Sequence, residues 1–225
     1  MRINKFIALS TGMSRRAADT IIEEGGVTVN GHAPTPGQAV SSDDDVRLNG
    51  EQLLAPETKT LIALNKPKGY VCSRDGQGAP TIYGLLPEQY QHLKSVGRLD
   101  KDTTGLILLT NDGDLANKLT HPSFAKTKVY MIELDKDLEQ TDTDKISKQG
   151  VKLQDGLSKL ELDRQGADGK HWQVTMHEGR NRQIRRTFEH LGYKVVRLHR
   201  TEFGPYTVDA LAPTQTFMVI EASDF

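Results

Sequence analysis

The chain has 225 residues, a hydrophobic fraction of 36%, a mean hydropathy of −0.53 and a net charge of −1. This length suits one large domain or a small and a medium one, and no apolar run is long enough to span a bilayer. The single cysteine, Cys72, excludes an internal disulfide and favours a reducing, cytosolic compartment. The amino terminus lacks the apolar core of a signal peptide.

Basic residues concentrate in two stretches, although the charges nearly cancel overall. The first 18 residues hold four basic residues and no acidic one, and residues 180–200 hold seven basic residues against one acid. Acidic residues collect instead in 43–45 and 135–144. We therefore expect two basic patches that bind phosphate locally while limiting non-specific adhesion.

The first part of the chain predicts a small unit of two helices and a sheet. The spacing of Ile3, Phe6 and Ile7 is helical, and Ser14 is placed to cap a second helix. A short alternating run then ends at Asn30-Gly31, a tight-turn signal. We assign residues 1–48 to this unit and the polar residues 49–60 to a linker.

Apolar runs separated by polar turns make up the rest of the chain, which we assign to one domain over residues 61–225. Strands are predicted at 61–64, 71–73, 106–110, 126–134, 151–153, 159–162, 172–176, 195–198 and 217–220, and short helices at 81–86, 115–119 and 142–148. Strands outnumber helices and do not alternate with them strictly. The prediction is an α+β fold with a mixed, largely antiparallel sheet flanked by helices.

A further helix is predicted between residues 182 and 191. Ile184, Phe188 and Leu191 share one face at i, i+4 and i+7, which predicts packing against the core. The opposite side carries Arg182, Arg185, Arg186 and Glu189. We expect this largely cationic face to meet an anion.

The polar loop of residues 97–105 runs straight into a buried strand and holds Asp100 two residues after Arg98. On these two residues alone, a structural ion pair is the plain explanation. Asp100 and Asp102 have no defined separation that would make them a glycosidase pair. Phosphate-loop, dinucleotide-binding and metal-ligand patterns are absent, no GxSxG elbow is present, and a serine triad stays open.

The amino-terminal unit resembles an S4 RNA-binding domain. The resemblance rests on Arg2-Ile3-Asn4-Lys5-Phe6-Ile7-Ala8, Gly12-Met13-Ser14-Arg15-Arg16-Ala17-Ala18 and Gly26-Val27-Thr28-Val29-Asn30-Gly31. It implies that RNA is contacted by Arg2, Lys5, Arg15 and Arg16. The last two lie at a predicted helix start, where free N–H groups also favour phosphate.

Four further motifs resemble the RsuA/RluB/RluE/RluF family of ribosomal RNA pseudouridine synthases. They are Leu64-Asn65-Lys66-Pro67-Lys68-Gly69, Gly97-Arg98-Leu99-Asp100, Lys128-Val129-Tyr130 and Gly179-Arg180-Asn181-Arg182-Gln183-Ile184-Arg185-Arg186. The resemblance implies an enzyme that exchanges the uridine C1′–N1 bond for C1′–C5 without metal or cofactor. Asp100 matches the family's catalytic aspartate, and its role as nucleophile or base stays open.

The resemblance also implies roles for other residues around the flipped-out base. Arg98 fills the gap that the uridine leaves, Tyr130 stacks on uracil, and Arg185 is the pocket arginine. Contacts to RNA phosphate are assigned to Lys66, Arg180 and Arg182. The expected partner is ribosomal RNA or a ribosomal assembly intermediate, with no membrane, for a cytoplasmic monomer.

The alternative function is a non-catalytic RNA-binding or assembly factor that kept the fold. Asp100, Tyr130 and Arg185 discriminate the two, because a decayed enzyme is expected to have lost at least one, and all three are present. The Asn-Arg-Gln-Ile-Arg-Arg sequence at residues 181–186 favours 23S over 16S rRNA as the substrate.

Overall fold

A computed structural model describes residues 1–41, 43–54, 59–76, 78–124, 126–211 and 215–220. The chain divides into two units, Met1–Lys59 and Thr60–Phe225. Residues 55–58 of the predicted linker, and residues 212–214 and 221–225 of the predicted second domain, lie outside the described residues. Over the described ranges, no helix has the length and apolar character needed to cross a membrane.

The amino-terminal unit has the two helices and the small sheet that the sequence predicts. Its elements are α1 (Ile3–Thr11), α2 (Arg15–Glu23), β1 (Val27–Val29), β2 (Val46–Leu48) and β3 (Glu51–Gln52). The strands are antiparallel in the order β1-β2-β3. Ser14 caps α2 as predicted, because its hydroxyl accepts the Ala17 N–H at 3.1 Å. Ile3, Phe6 and Ile7 are buried in the unit's core.

The predicted linker begins too early. Asn49 and Gly50 have φ angles of 50° and 89°, which is the backbone of a tight hairpin turn, and they join β2 to β3 inside the supposed linker. The Leu53 N–H then donates to the Val46 carbonyl oxygen at 2.8 Å. Residues 49–53 are therefore part of the amino-terminal sheet and its flank.

The second unit is built on a nine-stranded sheet. Its strands are β4 (Leu61–Lys66), β5 (Lys94–Ser95), β6 (Thr104–Thr110), β7 (Lys128–Leu134), β10 (Glu161–Arg164), β11 (His171–Met176), β12 (Val195–Phe203), β13 (Tyr206–Thr207) and β14 (Phe217–Ile220), while β8 (Val151–Leu153) and β9 (Gly156–Ser158) form a separate hairpin. The order is β10-β11-β7-β12-β6-β4-β14, with β13 on β12 and β5 on β6. Of the described pairings only β12 with β6 is parallel, so the predicted mixed, largely antiparallel sheet is confirmed.

Both faces of this sheet are covered, which explains the unbroken apolar runs at 61–64 in β4 and 106–109 in β6. In β4, Leu61 and Ala63 belong to one apolar cluster, and Ile62 and Leu64 belong to another. Because successive side chains of a strand point to opposite faces, an unbroken apolar run serves two cores.

Helices pack on each side of the sheet. They are α3 (Gly113–Thr120), α4 (Gln140–Asp144) and α5 (Gln183–His190). The carboxylate of Asp112 caps α3 by accepting the N–H groups of Asp114 and Leu115. Ile184 and Phe188 of α5 are buried in the larger cluster, as the helical spacing predicts.

Some predicted elements differ in extent. The predicted helix over 142–148 is α4 followed by one π-helical turn, Lys145–Gln149. The predicted strand at 71–73 is only a bridge between Val71 and Thr81. Arg182, expected on the helix face, precedes α5 in the left-handed conformation with φ of 46°. The conformation is sparsely populated by residues other than glycine, and such residues cluster at functional sites.

Candidate active site

Asp100 lies on a loop that the backbone and one buried lysine hold in place. The Thr103 N–H donates to the Asp100 carbonyl oxygen at 3.1 Å, and the Gly69 N–H donates to that of Lys101 at 2.8 Å. At the start of β6, Gly105 has φ of 103°, and a Cβ there would lie 2.2 Å from the Arg200 carbonyl oxygen. Only glycine fits at this position, so β12 can approach the end of the loop closely.

Lys66 is not a phosphate contact, which corrects the prediction. Its side chain is fully buried, and its Nζ donates to the carbonyl oxygens of Thr103 at 2.7 Å and Pro67 at 3.1 Å, with that of Lys101 at 3.5 Å. Burial lowers the pKa of this ammonium below its usual range. Lys66 thus fastens the segment that follows Asp100 to the end of β4.

Cys72 is a buried thiol next to the same loop. Its Sγ donates to the Leu99 carbonyl oxygen at 3.4 Å and accepts the Leu99 N–H at 3.3 Å. Burial raises the pKa of the thiol, so it stays protonated. The residue before Asp100 is therefore anchored on both backbone groups.

Asp100 opens into a cavity of about 590 Å³ in the second unit. Its lining includes Arg98, Asp100, Tyr130, Arg180, Arg182 and Arg185. The structure thus brings together every residue that the sequence predicts for the catalytic unit except Lys66. Tyr130 is buried in β7, whereas Arg98 is exposed and makes no hydrogen bond or ion pair within the described ranges.

Asp102, which was considered only as a glycosidase partner, is the main carboxylate partner of two arginines. Arg182 donates from Nη1 to Asp102 Oδ1 at 3.1 Å and from Nη2 to Oδ2 at 3.4 Å, while its Nη1 lies 3.6 Å from Asp100 Oδ2. Burial favours a raised pKa for the Asp102 carboxyl, but the Arg182 hydrogen bond and the Arg185 charge outweigh it and hold the pKa below its usual range.

Arg185 supports the site from α5. Its Nη1 donates to the Val195 carbonyl oxygen at 2.7 Å and its Nη2 to that of Asp102 at 3.2 Å, and its Nε lies 3.3 Å from Asp102 Oδ2. Burial lowers the pKa of the guanidinium, and the Asp102 charge opposes this. Within the described ranges the cation nearest to Asp100 is therefore Arg182, and Arg185 reaches the loop through Asp102.

Arg180 is paired with protein groups, and its contact with RNA phosphate stays a prediction. Its guanidinium contacts Asp155 Oδ1 at 3.1 Å and Glu178 Oε1 at 3.0 Å, and donates to the Leu157 carbonyl oxygen at 2.8 Å. Arg186 lies 2.7 Å from the same Asp155. These two arginines hold the β8–β9 hairpin against the amino-terminal end of α5.

The predicted RNA contacts of the amino-terminal unit lie on a separate body. Arg2, Arg15 and Arg16 are exposed, and Lys5 is half-buried. Arg15 donates to Asn4 Oδ1 at 3.2 Å, a neutral partner that leaves its charge uncompensated. Their contact with RNA stays a prediction.

Three carboxylates of the catalytic unit were not recognised as partners of its arginines: Asp102, Asp155 and Glu178. Asp102 stands 80 positions from Arg182 along the chain, so no local pattern indicates the pair. The distribution of acidic residues along the sequence does not indicate that the arginines near α5 share carboxylates in pairs.

Comparison with known proteins identifies the family. Residues 60–190 match the model described as RNA pseudouridylate synthase, and residues 1–46 match the S4 domain. The chain is 38% identical to ribosomal small subunit pseudouridine synthase A of Pasteurella multocida, over 93% of this chain and 91% of that protein. It is 37% identical to ribosomal large subunit pseudouridine synthase B of Pseudomonas aeruginosa, over 91% of this chain, and spans only 55% of that relative.

A solved structure agrees with these matches. A crystal structure of a pseudouridylate synthase has a TM-score of 0.69 and 32% identity, and the match covers 99% of this chain and 97% of that one. The resemblance first seen in the motifs is thereby confirmed. The chain belongs to the RNA pseudouridylate synthase family and carries an S4 domain at its amino terminus.

Proposed function

We propose that this protein isomerises a specific uridine of ribosomal RNA to pseudouridine, with Asp100 as the catalytic residue. The observation that carries the proposal is the cavity in which Asp100, Tyr130 and Arg185 meet. The family supports the reaction, and the names of relatives from both ribosomal subunits support rRNA as the substrate.

The geometry suits a carboxylate that acts on a bound nucleotide. Asp100 is about one-third exposed, with a side-chain accessibility of 35%, so a substrate can reach it. The Arg182 guanidinium lies 3.6 Å from Asp100 Oδ2, close enough to orient the carboxylate in the cavity. Tyr130 offers an aromatic ring in the same cavity on which uracil can stack.

The reaction balances without an oxidant or reductant. The C1′–N1 bond breaks, the base turns, and C1′ bonds to C5, whose proton is lost while N1 gains one. The exposed Arg98 is positioned at the cavity to occupy the space that the flipped uridine leaves. The S4 domain supplies a second RNA contact through Arg2, Arg15 and Arg16.

The sequence of residues 181–186 leads us to propose 23S rRNA as the substrate. We also propose that the protein is a monomer and, because it has a single cysteine, that it is cytoplasmic. The test incubates the full chain with unmodified 23S and 16S fragments that carry tritium at uridine C5, and follows tritium release. Release from 23S only is expected, and release from 16S only would reassign the substrate. No release from either would leave the non-catalytic RNA-binding factor as the function.

The Asp100→Asn variant tests whether this carboxylate performs the chemistry. The amide is nearly isosteric but cannot act as a base or nucleophile, so release should fall by at least about 10³-fold. RNA affinity should change little, because the carboxylate is not a phosphate contact. Asp135→Asn, an exchange on the same unit away from the cavity, is the matched control. An active Asp100→Asn enzyme would refute the assignment.

A further inference from the structure

A second set of side chains lines the cavity from β7 and β12. Tyr130 and Lys128 of β7 stand directly opposite Arg200 and Phe203 of β12. The register shifts between Arg200 and Glu202, so residues three apart on β12 face residues two apart on β7. All four of the opposed residues line the cavity.

Two cations of this set, Lys128 and Arg200, lie against one aromatic ring. The Arg200 Cζ is 4.8 Å and the Lys128 Nζ is 5.5 Å from the centre of the Phe203 ring. We call Lys128 and Arg200 the cation pair. A cation over an aromatic face gains some attraction, but the ring carries no net charge to cancel theirs.

Arg200 is buried with one donor nitrogen unused. Only 3% of the residue is exposed, and its Nε donates to the Leu106 carbonyl oxygen at 2.7 Å. Its Nη2 is buried without a hydrogen-bond partner. Buried donors are nearly always paired, and an unpaired one on a charged group is costly.

Within the described ranges, the hydrogen bonds of the Lys128 ammonium are long and go to backbone oxygens. Its Nζ lies 3.3 Å from the Lys126 carbonyl oxygen and 3.4 Å from that of Glu178. Burial, and then the neighbouring Arg200 charge, lower the pKa of this ammonium, while the Glu178 charge opposes them only in part. Across the described ranges, neither member of the cation pair has a carboxylate within ion-pair distance.

The neighbouring arginines make this lack of counter-charge informative. Arg180, Arg182 and Arg185 line the same cavity, and each has a carboxylate within 3.3 Å. Arg200 is buried and Lys128 beside it is half-buried, so holding both charges without a carboxylate costs free energy unless an anion joins them. The anions that an RNA substrate brings into such a cavity are its backbone phosphates.

We propose that Lys128 and Arg200 form a subsite for the phosphodiester adjoining the target uridine, so that phosphate binding seats the base against Tyr130. The proposal rests on the proposed function, because it takes RNA as the substrate. It assigns the cation pair to holding the nucleotide's backbone and leaves the chemistry to Asp100.

The first test uses mononucleotides and needs no knowledge of the target site. Uridine, uridine 5′-monophosphate and uridine 3′-monophosphate are titrated into the full chain and followed by NMR. At least one monophosphate should bind about tenfold or more tightly than uridine, as expected for charge-assisted hydrogen bonds. Lys128→Met should abolish that preference, Lys128→Arg should keep it, and Lys152→Met, an exposed lysine on β8, should not change it.

Equal affinity of the wild type for uridine and both monophosphates would overturn the proposal, as would a preference that survives Lys128→Met. Lys128 is chosen because Arg200 is a core residue whose truncation risks unfolding. Arg200→Lys retains the charge and should retain the preference if it folds. A preference that inorganic phosphate cannot compete away would also contradict a phosphate subsite.

The second test uses an RNA fragment that supports tritium release. Neutral methylphosphonates replace, one at a time, the phosphates on either side of the target uridine. One replacement should raise KM about tenfold for the wild type and have no further effect in Lys128→Met. Independent, additive effects would overturn the proposal. Absence of tritium release from every RNA would refute the proposed function instead, and the mononucleotide result would still stand.

Discussion

The arginines of the S4 domain and those near α5 differ in what their guanidinium groups contact. Among the described residues, the Arg15 side chain donates only to the neutral Asn4, and both Arg15 and Arg16 are exposed on α2. Arg182 and Arg185 instead share Asp102, while Arg180 shares Asp155 with Arg186. The charges of the S4 arginines are therefore available to a partner, whereas the charges of the arginines near α5 are largely neutralised by carboxylates of the protein.

This difference distinguishes cations that can bind RNA from cations that hold the active-site segments in place, although both are counted as basic residues. RNA releases condensed counterions when protein cations neutralise its phosphates, and this requires cations that are not already paired with carboxylates. Arg15 and Arg16 have no carboxylate partner among the described residues. Arginines that are already paired contribute by fixing the loop of Asp100 and the β8–β9 hairpin in place. Substitutions in the two sets should therefore change different measured quantities.

Lys66→Met should have the largest effect on stability and should leave RNA contacts alone. Removing the ammonium leaves the Thr103 carbonyl oxygen without its 2.7 Å donor in a buried position. The free energy of unfolding should fall by about 1–3 kcal/mol. Each kcal/mol corresponds to a Tm drop of about 2–4 °C for a chain of this size, and tritium release should fall with the loosened loop.

Lys152→Met is the matched control for this substitution, because Lys152 is an exposed lysine on β8. Its Tm should stay at the wild-type value. A Lys66→Met variant with the wild-type Tm but a weaker salt dependence of RNA binding would show that Lys66 contacts RNA phosphate and does not hold the loop.

Asp102→Asn should act on turnover more than on stability. The carboxylate is 39% exposed, so solvent screening limits its contribution to stability to about 1 kcal/mol or less. Removing its charge frees Arg182 and Arg185 from their shared partner and lets both shift relative to Asp100. Small displacements of positioning groups are costly, so kcat should fall about 10- to 100-fold with little change in KM.

Asp155→Asn is a close control, because Asp155 is also 39% exposed and also pairs with two arginines. Neither of those arginines has an ion pair to Asp100 within the described ranges, so kcat should be retained. Equal losses of kcat in the two variants would show that Asp102 has no special part in positioning.

The pH dependence of stability gives a second readout for Asp102. Its folded-state pKa is lowered, so its stabilising contribution is present above the unfolded value of about 3.9 and is lost as pH falls through the folded value. The Tm difference between wild type and Asp102→Asn should therefore be largest near neutral pH and should shrink in acid. A difference that grows in acid would contradict this sign.

Much of the fold follows from local patterns. The apolar runs of β4 and β6 predict buried strands, and Ser14 and Asp112 mark the helix starts that they cap. Burial of Lys66 was also foreseeable, since Ile62, Leu64 and Lys66 are two apart and share one face of β4. The hairpin at Asn49 and Gly50 carried an equally strong signal, which the polar composition around it obscured.

The pairing of charges was not foreseeable from local patterns. Arg182 and Asp102 are 80 positions apart, and the fold brings them together by placing the start of α5 beside the loop before β6. A helical spacing shows which side of α5 carries cations, but not which carboxylates of other segments lie opposite. The sequence therefore predicts which residues line the cavity better than it predicts the carboxylates with which the arginines pair.

Substitution of both Arg15 and Arg16 by alanine should give the smallest effect, confined to RNA binding. If both contact phosphate, the slope of log affinity against log salt should become shallower by up to about two, and Tm should stay close to wild type because both side chains are exposed. Lys145→Ala with Lys148→Ala removes two exposed charges from the other unit and serves as the control. An equal change of slope in the control would show that RNA senses net charge rather than the S4 arginines. An unchanged slope in the arginine variant alone would mean that these free cations do not dock RNA.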